Sequence, residues 1–172
     1  MSKKKSKLPK KVIAYLEKAG VPHKILEHKT VYTAYDAAQT LRKKLGEVAK
    51  SLLIKADKDY YVLILPADQQ VDFKKLGKCL TLAQGKEVKT IKIPGEKIVQ
   101  ELLKLKNETV SAFGQLHKVP VVMEKELGKL KQAIFSSGGF NHSVEMAVKD
   151  FMKMENVKTG SFGVRRKRQK VI

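Results

Sequence analysis

The stretch that decides the fold is VAKSLLIKADKDYYVLIL, residues 48–65. Two apolar runs, 48–56 and 60–65, flank the polar tripeptide 57–59, which has the length of a hairpin connection. We therefore expect two antiparallel strands here, and the rest of the domain to be built around them.

Lys50 stands out within this hairpin. Period-two alternation places it on the same strand face as three apolar residues, Val48, Leu52 and Ile54. A lysine on such a face must bind an anion, lose its proton or extend its ammonium to water. The first two outcomes indicate a functional site, whereas the third describes an ordinary lysine at the edge of a strand.

Helices and short strands alternate irregularly outside the hairpin. Helical spacing predicts helices from Pro9 to Gly20, over 33–46 and over 98–105, with shorter helical segments at 71–76, 124–130 and 149–155. Strands are predicted at 23–27, 89–93, 119–123, 133–137 and 144–148, with a loop at 107–116. Because no regular βαβ rhythm appears, we expect one α+β domain with a mostly antiparallel or mixed sheet.

The positive charge is concentrated at the two ends of the chain. The net charge is +19, from 36 lysines and arginines against 17 acids. Residues 1–11 and 158–172 are interpreted as flexible basic arms around a folded domain at 12–157, and such arms favour a polyanionic partner. Contacts with nucleic acid are expected from Lys3, Lys4, Lys5, Arg165, Arg166, Lys167 and Arg168. Arms that only aid solubility or localisation are the alternative.

Several classes of protein are disfavoured by composition. Cys79 is the single cysteine, so no intramolecular disulfide can form and a reducing compartment is the simpler setting. The four histidines lack metal-ligand spacing, and we predict no metal and no cofactor. No segment approaches the roughly 20 apolar residues that cross a bilayer. We therefore expect a soluble, cytoplasmic protein with no membrane partner.

The segment that ends in Gly138 and Gly139 offers two further hypotheses. The glycines either turn backbone N–H groups toward an oxyanion or phosphate, or simply form a tight turn with positive φ. Ser136, Ser137 and His142 suggest a hydrolase triad. No GxSxG motif surrounds the serines and no acid accompanies the histidine, so we reject the triad.

Seven short motifs follow one another in an order that resembles the YbaK / prolyl-tRNA-synthetase-associated editing family. They are TAYDAA (33–38), VAKSLL (48–53), VLILPAD (62–68), KKL (74–76), FG (113–114), VPVVM (119–123) and IFSSGG (134–139). The resemblance spans about residues 10–155. It implies a single α+β domain with a mixed, mostly antiparallel, barrel-like sheet wrapped by helices.

The resemblance also implies an activity, the hydrolysis of mischarged aminoacyl-tRNA in trans. Lys50 would be the essential lysine that holds the 3′-terminal nucleotide, while water attacks the ester with help from backbone groups and the ribose hydroxyl. The implied substrate-binding residues are Tyr32, Thr33, Phe113, Gly114, Ser137, Gly138, Gly139 and His142. The implied partner is tRNA, with an aminoacyl-tRNA synthetase as a second candidate.

One loop departs from the family pattern. The family usually carries Gly-x-x-x-Pro before the Phe-Gly motif, and this chain has Glu108 and Ala112 at those two positions. Because the loop helps to define the pocket, a non-catalytic relative that only binds tRNA or another RNA is the alternative to a deacylase.

Overall fold

The computed structural model describes residues 8–105 and 108–165, which form five α-helices and ten β-strands. The helices are α1 Lys10–Ala19, α2 Ala34–Leu41, α3 Phe73–Gln84, α4 Glu96–Leu103 and α5 Val148–Met154. The strands are β1 His23–Glu27, β2 Ala49–Ala56, β3 Asp59–Pro66, β4 Gln69–Val71, β5 Ile91–Lys92, β6 Val121–Glu124, β7 Gln132–Ser136, β8 His142–Ala147, β9 Lys158–Gly160 and β10 Gly163–Arg165. None of these helices has the length and apolar character needed to cross a membrane.

The strands form three sheets. The largest has the order β5-β2-β3-β6-β9, with antiparallel pairs around β2 and parallel pairs on both sides of β6. The order β1-β8-β7 makes an antiparallel sheet, and β4 pairs with β10 in a two-stranded ribbon. This confirms a mixed α+β domain. No barrel closes within the described residues, because β5 and β9 are separate edges of the largest sheet.

The β2–β3 hairpin is confirmed, and both of its faces are covered. Its strands pair from Ala49 opposite Pro66 to Ala56 opposite Asp59. On one face, side chains including Val62 and Ile64 enter the main core with α1 and α5. On the other face, a second cluster contains Ile54, Leu63 and Leu65 from the hairpin with Leu76 and Leu80 from α3. Two-sided burial explains the uninterrupted apolar runs in this sequence.

Helix α2 begins as expected but ends earlier. The Thr33 hydroxyl accepts the Asp36 N–H at 3.0 Å, which caps the first turn. The helix ends at Leu41 rather than at Gly46, because Arg42 adopts a left-handed conformation with φ of 56°. Leu45–Glu47 forms a separate 3₁₀ turn.

Helix α3 is longer than the short helical segment predicted at 71–76. The Asp72 carboxylate accepts the N–H groups of Lys74 and Lys75, and this cap starts a helix of 12 residues. Strand β5 is conversely shorter than its predicted range 89–93. The Asp57 carboxylate accepts the N–H groups of Lys89 and Thr90, which keeps both residues out of the ladder.

The folded domain extends beyond the predicted boundaries at both ends. Lys10 and Lys11 belong to α1, and residues 158–165 form β9 and β10 instead of a flexible tail. The buried Glu124 carboxylate accepts the N–H groups of Phe162 and Gly163 at 2.7 and 2.5 Å, which fixes this segment. Of the basic residues expected to bind nucleic acid, Arg165 ends β10 and is exposed. The others, Lys3, Lys4, Lys5, Arg166, Lys167 and Arg168, lie outside the described residues.

A buried carboxylate connects α1 to the end of α5. Glu155 is fully buried and accepts hydrogen bonds from the Tyr15 hydroxyl at 2.5 Å and the Gln115 N–H at 3.1 Å. Burial raises the pKa of Glu155 more than these two hydrogen bonds lower it. Burial and the neighbouring Glu155 likewise raise the pKa of Tyr15.

We predict that Glu155→Gln changes how stability depends on pH. When folding raises the pKa of a carboxyl group, that group stabilises the fold at pH values below its ordinary pKa of 4.5. This contribution is lost as the pH rises through the pKa of the group in the folded protein. Glutamine keeps an acceptor for Gln115 and a donor for the Tyr15 oxygen without ionising. The wild-type free energy of unfolding should therefore fall relative to that of the variant as the pH rises above about 4.5, measured by urea denaturation.

Glu101→Gln, an exposed change on α4, serves as the control and should leave the pH dependence unchanged. Wild-type and Glu155→Gln curves that run parallel across this range would show that burying Glu155 carries no ionisation cost.

Candidate functional site

A cavity of about 260 Å³ opens at the start of β2. Its walls come from the segment before α2, from α2 itself, from the loop at 109–110 and from the facing ends of β7 and β8. The polar residues in these walls are His28, Tyr32, Thr33, Lys50, Ser51, Thr109, Ser136, His142 and Ser143. No aspartate or glutamate is present among the described residues that line it.

Lys50 lies between two residues that pack against different helices. Val48 packs in a cluster with Ala37 and Ala38 of α2, and Ile54 packs in the cluster of α3. Lys50 lies between Val48 and Ile54 on the same strand face, is half-buried and lines the cavity. The expectation that Lys50 lies on an apolar face therefore agrees with the packing around it.

The loop that departs from the family pattern forms one wall. The Thr109 N–H donates to the Gly138 carbonyl at 2.7 Å, and the Ser136 hydroxyl donates to the Val110 carbonyl at 3.0 Å. The Ala112 N–H donates to the Ser136 carbonyl at 3.0 Å. These bonds place Thr109 and Val110 beside the ends of β7 and β8.

The double glycine makes a tight turn, in agreement with one of the two hypotheses for it. Gly138 has φ of 88°, and a Cβ atom there would lie 3.3 Å from the Thr109 carbonyl oxygen. The N–H groups of Gly138 and Gly139 donate to the hydroxyls of Ser136 and Ser137, each at 3.2 Å. Both donors are thus engaged inside the turn, which disfavours the oxyanion hypothesis.

Two histidines in the cavity wall differ in their surroundings. His142 is 2% exposed, its Nδ1 has no hydrogen-bond partner among the described residues, and burial lowers its pKa. His28 has its Nε2 2.9 Å from the Ser143 hydroxyl oxygen. The His28–Ser143 pair was not predicted from the sequence, since no local motif connects residues so far apart in the chain.

The structure brings some of the expected site residues together and separates others. The cavity is lined by Lys50, Tyr32, Thr33, Gly139 and His142. Ser137 and Gly138 belong to the turn behind this wall, where the Ser137 hydroxyl donates to the His142 carbonyl at 2.6 Å. Tyr32 is 74% exposed, and its ring lies 5.2 Å from that of Phe140.

Phe113 and Gly114 do not line the cavity, contrary to expectation. Phe113 is fully buried, with ring centroids 6.2 Å from Tyr15 and 5.6 Å from Phe151. A Cβ atom at Gly114 would lie 2.5 Å from the Val119 carbonyl oxygen. Core packing and close backbone approach account for this Phe-Gly motif.

No cluster of histidine, cysteine, aspartate or glutamate side chains suited to a metal ion occurs in residues 8–105 and 108–165. The ionisable and hydrogen-bonding side chains of the cavity wall are its lysine, its histidines and its hydroxyl groups.

Comparison with known proteins identifies the family. The aminoacyl-tRNA editing domain model matches residues 28–154. A solved structure described as a candidate trans-editing enzyme for prolyl-tRNA synthetase has 19% identity and a TM-score of 0.75, covering 92% of this chain and 97% of that one. The solved structure of the hypothetical protein APE2540 has 17% identity and a TM-score of 0.77, covering 90% of this chain and 99% of that one. No curated protein sequence matches significantly. Because the family model covers more than half of the sequence, the chain belongs to the aminoacyl-tRNA editing domain family.

Proposed function

We propose that this protein is a deacylase that hydrolyses the ester bond of a mischarged aminoacyl-tRNA in trans. The observation that carries the proposal is the position of Lys50, a half-buried lysine in the wall of a cavity in a member of an editing-domain family. Proofreading in translation is the corresponding role.

Lys50 is suited to hold the 3′-terminal nucleotide. Its ammonium is a compact positive charge, and partial burial reduces the screening of its attraction to phosphate. Fixing the end of the tRNA in this way aligns the ester for attack by water, so that Lys50 accelerates the reaction by positioning and by charge.

The dimensions of the cavity suit the reacting end of the substrate. Ligand pockets commonly measure about 300–1,000 Å³. This cavity, at about 260 Å³, lies just below that range and therefore favours a small group. It can hold a small aminoacyl group, while the exposed ring of Tyr32 offers a surface on which the terminal adenine can stack. Ala34, Ala37 and Val48 supply apolar wall around the aminoacyl group.

Arg165, the last residue that the structure describes, is linked to a cavity residue through two backbone pairings. Arg165 lies opposite Gln69 in the β4–β10 ribbon. Two residues before Gln69, the Ala67 N–H donates to the carbonyl of the cavity residue Val48 at 2.8 Å. We propose that the lysines and arginines that follow Arg165 contact phosphates of the tRNA.

An aminoacyl-tRNA synthetase is a second candidate partner. The candidate trans-editing enzyme with a similar fold is described as acting for prolyl-tRNA synthetase. A trans-acting deacylase that meets mischarged tRNA close to the synthetase would intercept it before it is used in translation.

We predict that Lys50→Ala reduces deacylation at least about 100-fold, because the substrate loses both an anchor and a nearby charge. The assay is single-turnover hydrolysis of a panel that includes Ala-, Cys- and Ser-charged tRNAs. Lys55→Ala is the matched control, because Lys55 lies on the same strand with its ammonium 5.6 Å from the Tyr60 ring and outside the cavity.

Two outcomes would decide against this proposal. Unchanged hydrolysis by Lys50→Ala would remove Lys50 from the mechanism. Wild-type protein that binds tRNA but hydrolyses none of the panel would identify a non-catalytic RNA-binding relative, the alternative that the altered loop Glu108–Ala112 suggested.

We predict that removing residues 166–172 lowers the affinity for tRNA and makes that affinity less sensitive to salt concentration. This truncation keeps β10 and the buried Phe162, so the domain should stay folded. The slope of log affinity against log salt should fall by about 0.7–0.9 for each phosphate that the shortened protein no longer neutralises. The control is a protein whose residues 166–172 are present in scrambled order, and it should bind tRNA like wild type. An unchanged slope after truncation would show that these residues do not contact the phosphates.

A further inference from the structure

A serine and a histidine are held together in the cavity wall. Ser143 lies on β8 opposite Leu26 of β1, and the His28 N–H donates to the Asn141 carbonyl at 2.8 Å. Backbone pairing on both sides thus keeps the two residues adjacent, with the Ser143 hydroxyl oxygen 2.9 Å from His28 Nε2. The sheet therefore brings together two residues that are far apart in the sequence.

The proton positions follow from a second hydrogen bond. His28 Nδ1 lies 2.8 Å from the Lys29 carbonyl oxygen, which can only accept. In the neutral ring Nδ1 therefore carries the proton and Nε2 offers its lone pair, so the Ser143 hydroxyl donates to Nε2. The Ser143 oxygen then has lone pairs to offer and no further hydrogen to donate.

The same wall contains polar atoms whose hydrogen bonding is incomplete. His142 Nδ1 and the Ser51 hydroxyl oxygen are buried without a hydrogen-bond partner among the described residues, and both residues line the cavity. Leaving such an atom unsatisfied costs about 1–3 kcal/mol, so a polar ligand or a reacting water is favoured here.

We propose that Ser143 and His28 form the proton-accepting relay for hydrolysis of the ester, with Ser143 in contact with the attacking water. The proposal rests on the deacylase function proposed above. Ser143 is then a catalytic residue, and His28, which acts through Ser143, is a positioning residue.

The reaction balances without another reactant. Water attacks the ester carbonyl carbon, one water proton passes to the Ser143 oxygen, and the proton of Ser143 passes to His28 Nε2. The tetrahedral intermediate then collapses, and the bond from the carbonyl carbon to the ribose oxygen breaks. The proton returns from His28 through Ser143 to that oxygen, which releases the amino acid and a tRNA with a free hydroxyl.

Other side chains in the wall are less suited to accept this proton. Lys50 as an ammonium has donors only, and the described lining residues include no carboxylate. His142 lacks a partner that would fix its tautomer, because its Nδ1 makes no hydrogen bond within the described part of the chain. His28 has both a fixed tautomer and a hydroxyl through which it can reach the substrate.

The test compares five variants, one of them a control, in single-turnover deacylation of the aminoacyl-tRNA that wild type hydrolyses fastest. Ser143→Ala and His28→Gln should each lower the rate constant about 100- to 10,000-fold, and the double variant should be no slower than the slower single variant. Ser143→Thr retains the hydroxyl and should recover most of the rate. His23→Ala is the matched control, because His23 begins β1, the strand that precedes His28, and has its Nδ1 2.9 Å from a backbone carbonyl, but lies outside the cavity.

Binding of a hydrolysis-resistant, amide-linked aminoacyl-tRNA distinguishes a relay from a structural brace. Affinity should change less than about threefold in Ser143→Ala and His28→Gln, with unfolding midpoints close to wild type. If Ser143→Ala does not fold, His28→Gln at its half-buried position provides the test. A rate within about threefold of wild type, or a loss of affinity equal to the loss of rate, would overturn the relay. If wild type hydrolyses nothing, the deacylase proposal fails together with the relay.

Discussion

Burial of both faces of the β2–β3 hairpin is the constraint on which the rest of the structure depends. Side chains of β3 enter the main core on one face and the α3 cluster on the other. A polar side chain of β2 can reach a polar environment only where this cover is interrupted. Such an interruption lies at the start of β2, where the cavity opens, and Lys50 lines it. The cavity and its lysine therefore have one physical cause.

The elements that could be predicted from sequence are those with strong local periodicity. The hairpin, α1 and α4 belong to this group, because their apolar faces are visible within a few turns or strand residues. The length of α3 depends on a cap by Asp72 and on burial of Leu76 and Leu80 against the distant hairpin. The last two strands likewise depend on the buried Glu124 carboxylate, which no pattern within 158–165 reveals.

The candidate site divides in the same way. Alternation along one strand was enough to single out Lys50, whereas the His28–Ser143 pair arises from pairing of β1 with β8 and has no local signal. Phe113 and Gly114 were found from the sequence but given the wrong role, since a motif shared with a family does not show whether its residues pack in the core or contact substrate. Their burial and close backbone approach assign both to the core.

Within the proposed function, the basic arm contributes affinity for tRNA, whereas the cavity contributes discrimination between amino acids. A basic arm that contacts phosphates binds correctly charged and mischarged tRNA equally, so it can increase encounter and affinity but cannot discriminate between amino acids. Discrimination has to come from the walls around the aminoacyl group. Thr109 and Val110 form one of these walls, and three hydrogen bonds between 109–112 and 136–138 hold it in place. Because these bonds involve backbone groups of the loop, its side chains can vary while the wall stays where it is. Within the proposed function, Thr109 and Val110 are therefore the residues of this loop through which substrate choice can vary, whereas Ala112 packs in the main core.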